Sequence, residues 1–101
     1  MVAFVNREPL FQLGQIVGTP AALEALEAAG INPASLIHRH VTGDFGVLCE
    51  EDTELNLAAI QDGSRILSVY HAGEAKLYVI TEAMDDEGHR EATTILRVEE
   101  Y

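Results

Sequence analysis

Six side chains in this 101-residue sequence have the functional groups for proton transfer and phosphate holding. His40 or Glu82 could take a proton from a ribose 2′-hydroxyl, Arg65 could hold the phosphate, and Tyr70, Thr81 or Thr94 could position it. No spacing among them demands that arrangement, and each has a structural alternative. Arg65 and Glu82 suit a cross-strand ion pair, Thr93 and Thr94 suit strand positions, and Tyr70 and Tyr78 can pack with their hydroxyls at water. His38 and His40, two apart on a helix, point in different directions and cannot jointly chelate a metal. His40 and Asp44 straddle Gly43, which favours a hydrogen bond or cap at a helix C-terminus over a catalytic dyad.

Carboxylates form two groups. Glu50, Glu51, Asp52 and Glu54 fall near the positive end of a helix, and Asp85, Asp86 and Glu87 fall in a loop. The loop lacks the alternating ligands and terminal glutamate of a calcium-binding EF-hand, so neither a dedicated metal site nor a cofactor is expected. Cys49 has no second cysteine to pair with and has acidic neighbours in sequence, which suits a packing residue. There is no glycine-rich phosphate loop, no Gly-x-Ser-x-Gly elbow and no basic stripe with interleaved aromatics.

The elements that must position these groups are legible from their punctuation. Residues 10–17 form a short apolar strand with a bend or bulge at Gly14. Thr19-Pro20 caps a helix that stops at Gly30, and Asn32-Pro33 caps a second that runs to about Val41 and ends at Gly43. A third helix spans about residues 50–61, with Gly63 beyond it and Leu55, Ala58 and Ala59 facing inward. β-Branched and aromatic segments then mark three strands, 65–71, 76–82 and 93–98. A connection of hairpin length, Ala72-Gly73-Glu74-Ala75, joins the first pair, and a long, polar, mobile connection over 83–92 joins the second. The expected fold is one α+β domain over residues 1–101. Three short helices pack on an antiparallel sheet of about four strands: an N-terminal strand, then the helices, then a C-terminal β-meander.

Seventeen acidic against six basic side chains give a net charge of −11. The excess is concentrated after residue 49, where thirteen acids face four bases. Such a field repels nucleic-acid phosphates and anionic membranes and attracts a basic protein surface. The single cysteine, the absence of a long apolar run and an N-terminus unlike a secretion signal together suggest a reducing, cytoplasmic setting.

His40-Val41-Thr42-Gly43-Asp44-Phe45-Gly46, Arg65-Ile66-Leu67-Ser68-Val69-Tyr70, Val79-Ile80-Thr81-Glu82-Ala83 and Thr93-Thr94-Ile95-Leu96 together are the basis of a resemblance. Over Phe11 to Tyr101 the chain resembles a family of short bacterial proteins variously labelled plasmid-related, hypothetical, or type I restriction endonuclease subunit M. It departs from that pattern in having Phe45 and Tyr78 where tryptophan is usual, a longer segment at 85–92, and no proline near Val98. A methyltransferase subunit needs an S-adenosylmethionine fold and a catalytic motif that 101 residues cannot carry. What the resemblance implies is association with mobile or restriction-linked genes.

The expected function is a non-enzymatic protein-binding or accessory module of a mobile-element-associated bacterial family. A sharper form is an inhibitor whose carboxylates imitate phosphates and occupy a restriction or CRISPR nuclease. Two alternatives stand beside it: a domain loosely similar to small ribonuclease toxins, and a homo-oligomer whose exposed strand pairs with its symmetry mate.

Overall fold

The structure is a computed structural model and describes residues 8–101. The elements follow in the order β1 (Gln15–Gly18), α1 (Pro20–Ala28), α2 (Pro33–Val41), α3 (Glu50–Asp62), β2 (Ile66–Ala72), β3 (Ala75–Thr81) and β4 (Ala92–Arg97), with a closing 3-10 turn over Val98–Glu100. Both proline-led helices start where their caps direct. Thr19 Oγ1 accepts from the amide of Ala22, and Asn32 Oδ1 accepts from the amide of Ala34. α3 ends at Gly63 with φ +85°, a left-handed cap that a glycine adopts without steric penalty.

The α+β class and the order of strand, helices and strands are as the sequence implies. The four strands lie in the order β1-β4-β3-β2. β2, β3 and β4 are antiparallel neighbours, whereas β1 runs parallel to β4, pairing Gln15 with Ala92 and Gly18 with Ile95. The sheet is therefore mixed rather than wholly antiparallel. Turn chemistry at Gly73 fixes the direction of β3 against β2, but the direction of β1 depends on how three intervening helices return the chain, which no local signal encodes. β1 is also shorter than the apolar segment that predicts it. The amide of Leu10 is bonded to the carbonyl of Val41, so residues 10–13 run beside α2, and strand pairing begins only after Gly14.

Alternation along the strands sorts the side chains by face. Ile66, Ser68, Tyr70 and Ala72 of β2, Leu77, Val79 and Thr81 of β3, and Thr93 and Ile95 of β4 are all buried. One apolar cluster joins Ala22, Leu26, Leu36 and Ile37 of α1 and α2 to Tyr70, Leu77, Val79 and Ile95. A second joins Phe11, Val41, Phe45, Ala59 and Ile66. Ser68, between Ile66 and Tyr70 on β2, marks the place where the clusters meet.

α3 is rotated differently from the expectation. Ala59 is buried, but Leu55 is 66% exposed and Ala58 is exposed too. The reason is Asn56, whose amide nitrogen donates to the Leu67 carbonyl at 2.6 Å while its Oδ1 accepts from the Leu67 amide at 3.1 Å. The side chain closes on the edge of β2 as another strand would. Holding Asn56 there swings its neighbour Leu55 outward by about 100° of helical rotation. Just before α3, the chain from Phe45 to Val47 also pairs with β2, through Val69 N to Phe45 O at 3.1 Å and Val47 N to Val69 O at 2.8 Å. Gly46 makes that approach possible: it has φ +74°, and a Cβ there would lie 2.0 Å from the Val69 carbonyl oxygen.

Candidate functional site

The catalytic candidates divide between the buried inner face of the sheet and its outer side. His40 projects from α2 into the core, where Nδ1 lies 2.5 Å from Ser68 Oγ and Nε2 lies 2.8 Å from Thr81 Oγ1. Phe11 and Phe45 meet its ring edge-on at centroid distances of 5.2 and 6.4 Å. Hydrogen-bond bookkeeping fixes the tautomer. Thr93 Oγ1 donates to the Leu13 carbonyl at 2.7 Å, so its other contact, 2.7 Å from Thr81 Oγ1, is one in which it accepts. Thr81 thus donates to Thr93 and accepts from His40 Nε2–H, leaving Nδ1 to accept from Ser68. The result is one directed relay from Ser68 through His40, Thr81 and Thr93 to a backbone carbonyl. A serine hydroxyl on an imidazole nitrogen is the pairing that activates a nucleophile. Here all four side chains are 0% exposed, so no substrate atom reaches them. Burial also pushes the His40 pKa down to about 4, keeping the ring neutral at physiological pH.

Tyr70 shares the inner face and is equally committed. Its hydroxyl donates to the Asp44 carbonyl at 2.6 Å, the Arg39 guanidinium carbon sits 4.6 Å from its ring centre, and burial raises its pKa to about 12. Arg39 in turn holds the Asp44 carboxylate at 2.7 Å. Asp44 closes the end of α2, its amide donating to the Arg39 carbonyl at 2.8 Å. The His40 side chain makes no cap there; its ring bonds go to the sheet.

Thr94, one residue from buried Thr93, belongs to the opposite face of the sheet. Arg65 donates to the Tyr101 hydroxyl at 2.5 Å, and Tyr101 packs edge-on against Tyr78 at 5.6 Å. The expected Arg65–Glu82 pair is absent: the arginine–carboxylate pairs among the described residues are Arg39–Asp44 and Arg97–Glu99. Glu82 is exposed just beyond β3. The sheet itself therefore stands between His40, Tyr70 and Thr81 on one side and Thr94 on the other. No protein-family model, curated protein or solved structure matches the chain.

A polar residue that sequence reasoning passed over is Arg90. It is 3% exposed, and its guanidinium donates to the carbonyls of Ala59, Ser64 and Glu82 at 3.0, 2.7 and 3.0 Å, with its carbon 5.8 Å from the Phe11 ring centre. No carboxylate pairs with it among the described residues, and burial lowers its pKa. In sequence it follows Asp85-Asp86-Glu87-Gly88-His89 and reads as one more solvated charge. The only hint is that it is the one arginine in an otherwise acidic loop. Its bonds tie the end of α3 to the connection over residues 83–92.

That connection is internally braced. Asp85 Oδ1 accepts from the amides of Glu87 and His89 at 2.9 Å each, and the Asp85 amide donates to the His89 carbonyl at 2.8 Å. These bonds, that from His89 first, hold the Asp85 carboxyl below its usual pKa. The Met84 amide donates to the Gly63 carbonyl at 2.8 Å, which sets the acidic loop against the C-terminal end of α3. Glu50, Glu51, Asp52 and Glu54 are exposed at the other end. The two acidic groups thus bracket a helix of 13 residues, about 20 Å long. Between them lie Leu55, 66% exposed, and Leu57, 50% exposed. Beside Leu55 is a hollow of about 220 Å³ lined by Leu48, Asp52, Leu55, Asn56, Arg65 and Leu67.

Cys49 is exposed at the N-cap of α3 rather than packed, since the chain turns there from the Val47 pairing into the helix. Among the described residues no group of three or more His, Cys, Asp or Glu side chains could hold a metal ion, and no helix is long and apolar enough to cross a membrane.

Proposed function

We propose that this chain is a non-enzymatic protein-binding or accessory module that uses the outer side of α3 to engage a basic surface on another protein. The observation that carries this reading is the placement of two acidic groups, Glu50 to Glu54 and Asp85 to Glu87, at opposite ends of one exposed helix. Carboxylates spread along roughly 20 Å of a rigid element attract a basic partner more strongly than the same charges scattered over the surface. A basic channel that normally holds nucleic acid is a natural counterpart. An anti-restriction or anti-CRISPR inhibitor encoded beside mobile genes is the sharpest form of this reading.

The test is affinity capture from the native host at low and high salt, with partners identified by mass spectrometry. The reading expects a nucleic-acid-processing or otherwise basic partner, retained at low salt, released at high salt, and lost when Glu50, Glu51, Asp52 and Glu54 are all changed to Lys. Retention of the same partner by the charge-reversed variant would overturn it.

The edge strand β1 favours a second reading, self-association. Ile16 and Val17 are 50% and 40% exposed, and in a parallel ladder the peptide groups of Ile16 and Gly18 alternate away from β4. A concentration-dependent mass abolished by Val17→Lys would support it, and a constant monomer mass up to millimolar concentration would exclude it.

A further inference from the structure

The hollow beside α3 gives the acidic surface an apolar centre, and it sharpens what the partner must look like. Leu48, Leu55 and Leu67 form its walls. Val47, on the segment paired with β2, is 56% exposed next to Leu48. Asp52 sits on the wall itself, and Glu51 lies one helical turn before Leu55, on the same side of α3. Asn56 is turned to the Leu67 backbone, to which both its amide nitrogen and its Oδ1 are bonded. Arg65 is held at the rim by Tyr101. At about 220 Å³ the hollow is smaller than the roughly 300–1,000 Å³ typical of small-molecule pockets, and it suits a single side chain.

We infer that this hollow is the anchor point of a docking surface for a lysine- or arginine-rich segment of a partner protein, which inserts one aliphatic or aromatic side chain between Leu48, Leu55 and Leu67 while its flanking cations meet Glu51, Asp52 and Glu54. The inference rests on the reading of the chain as an acidic protein-binding module and adds a short-range requirement to it. Charge complementarity selects the partner class and sets the rate of encounter; the apolar anchor sets how long the complex lasts. Leu55 and Val47, 66% and 56% exposed beside the hollow, supply apolar surface that such an anchor would remove from water.

The experiment uses the isotopically labelled protein and three synthetic 14-residue peptides, followed by NMR shift mapping and fluorescence anisotropy at low and high salt. One peptide is a lysine-rich amphipathic sequence with central leucines, the second replaces those leucines by alanine, and the third exchanges its lysines for glutamates. The leucine–lysine peptide should bind at least tenfold tighter than the alanine version, with shifts centred on Leu48, Leu55 and Leu67, and the glutamate peptide should not bind. Leu55→Asp should abolish the leucine preference. Because Leu55 is exposed, circular dichroism should show that variant folded. Changing Glu51, Asp52 and Glu54 to their amides should instead weaken all cationic binding and flatten its salt dependence while keeping the leucine preference.

Equal binding of the leucine and alanine peptides, or shifts that follow Asp85 to Glu87 instead, would overturn the inference. So would a wild-type dimer that Leu55→Asp dissociates, since a second copy would then be the occupant. The two levels separate cleanly. A salt-sensitive host partner that binds Leu55→Asp as well as wild type removes the anchor and leaves the acidic module standing, whereas a host partner indifferent to the charge-reversed helix removes the module.

Discussion

His40 stays neutral in the folded chain because burial in a pocket walled by Phe11 and Phe45 withholds from the imidazolium the water a charge needs. The sign of the pH dependence follows. With a folded pKa of about 4 against an ordinary value of 6.5, the unfolded chain binds the extra proton first. Stability contributed by the neutral ring is complete above about pH 6.5 and is lost as pH falls toward 4, a change of roughly 3 kcal/mol for this group. Asp62, Asp85 and Glu99, held below their usual pKa, lose their contributions only at lower pH, through their own folded values. Urea unfolding between pH 7 and pH 4 should therefore show a steep loss in the wild type and a shallower one in His40→Gln. Equal slopes would show that the imidazole does not titrate in this window. Arg90 presents the opposite case, a charge kept because three carbonyls need its protons. Arg90→Met should cost about 3 kcal/mol or more, lowering the thermal midpoint by more than about 10 °C, because three charge-assisted hydrogen bonds to carbonyls are lost from a buried side chain. A midpoint within about 3 °C of wild type would mean that water reaches those carbonyls.

At the scale of elements, the edge of β2 is where the helical and sheet halves are joined, and it is joined twice. Asn56 pairs with Leu67 by its side chain, and Phe45 to Val47 pair with Val69 by backbone. The second contact depends on a residue without Cβ. Gly46→Ala combines a positive φ with a 2.0 Å clash against a carbonyl oxygen. It should destabilise by about 2–4 kcal/mol and detach Phe45 to Val47 from β2, raising amide exchange at Val47 and Val69 ahead of the rest of the sheet. Gly30→Ala is the control, since nothing lies within 4 Å of a Cβ there; it too has a positive φ, so it should pay the conformational cost alone. If the two variants lose the same stability, the close approach at Gly46 is not tight in solution.

For the whole molecule the governing quantity is a charge of −11 that is carried unevenly. Thirteen of the seventeen acids follow residue 49, and the fold gathers many of them around the two ends of α3. Self-repulsion among them opposes the compact state, so raising NaCl from 20 to 500 mM, both about the extremes of practical screening, should stabilise the protein by about 1 kcal/mol, several degrees in midpoint. Neutralising Glu50, Glu51, Asp52 and Glu54 should reproduce part of that gain and reduce the salt response. A midpoint that falls with salt would mean that ion pairs such as Arg39–Asp44 outweigh the repulsion.

Sequence alone determined what is local. Thr19-Pro20 and Asn32-Pro33 start two helices, Gly63 stops a third, Gly73 turns the hairpin, and alternation in residues 66–97 makes strands, because each depends on the φ, hydrogen bonds or period of a few adjacent residues. Tertiary structure decided what joins distant positions. His40 meets Ser68 and Thr81, 28 and 41 residues away, so a histidine that reads as a base in one dimension is a sealed member of a relay in three. Arg90, written among acids, becomes the buried support of α3, and Leu55, an apolar residue expected inside, is turned to water because Asn56 is needed at the β2 edge. Burial and partnership are properties of contacts across the chain, and a single sequence states the types of its residues but not which of them will meet.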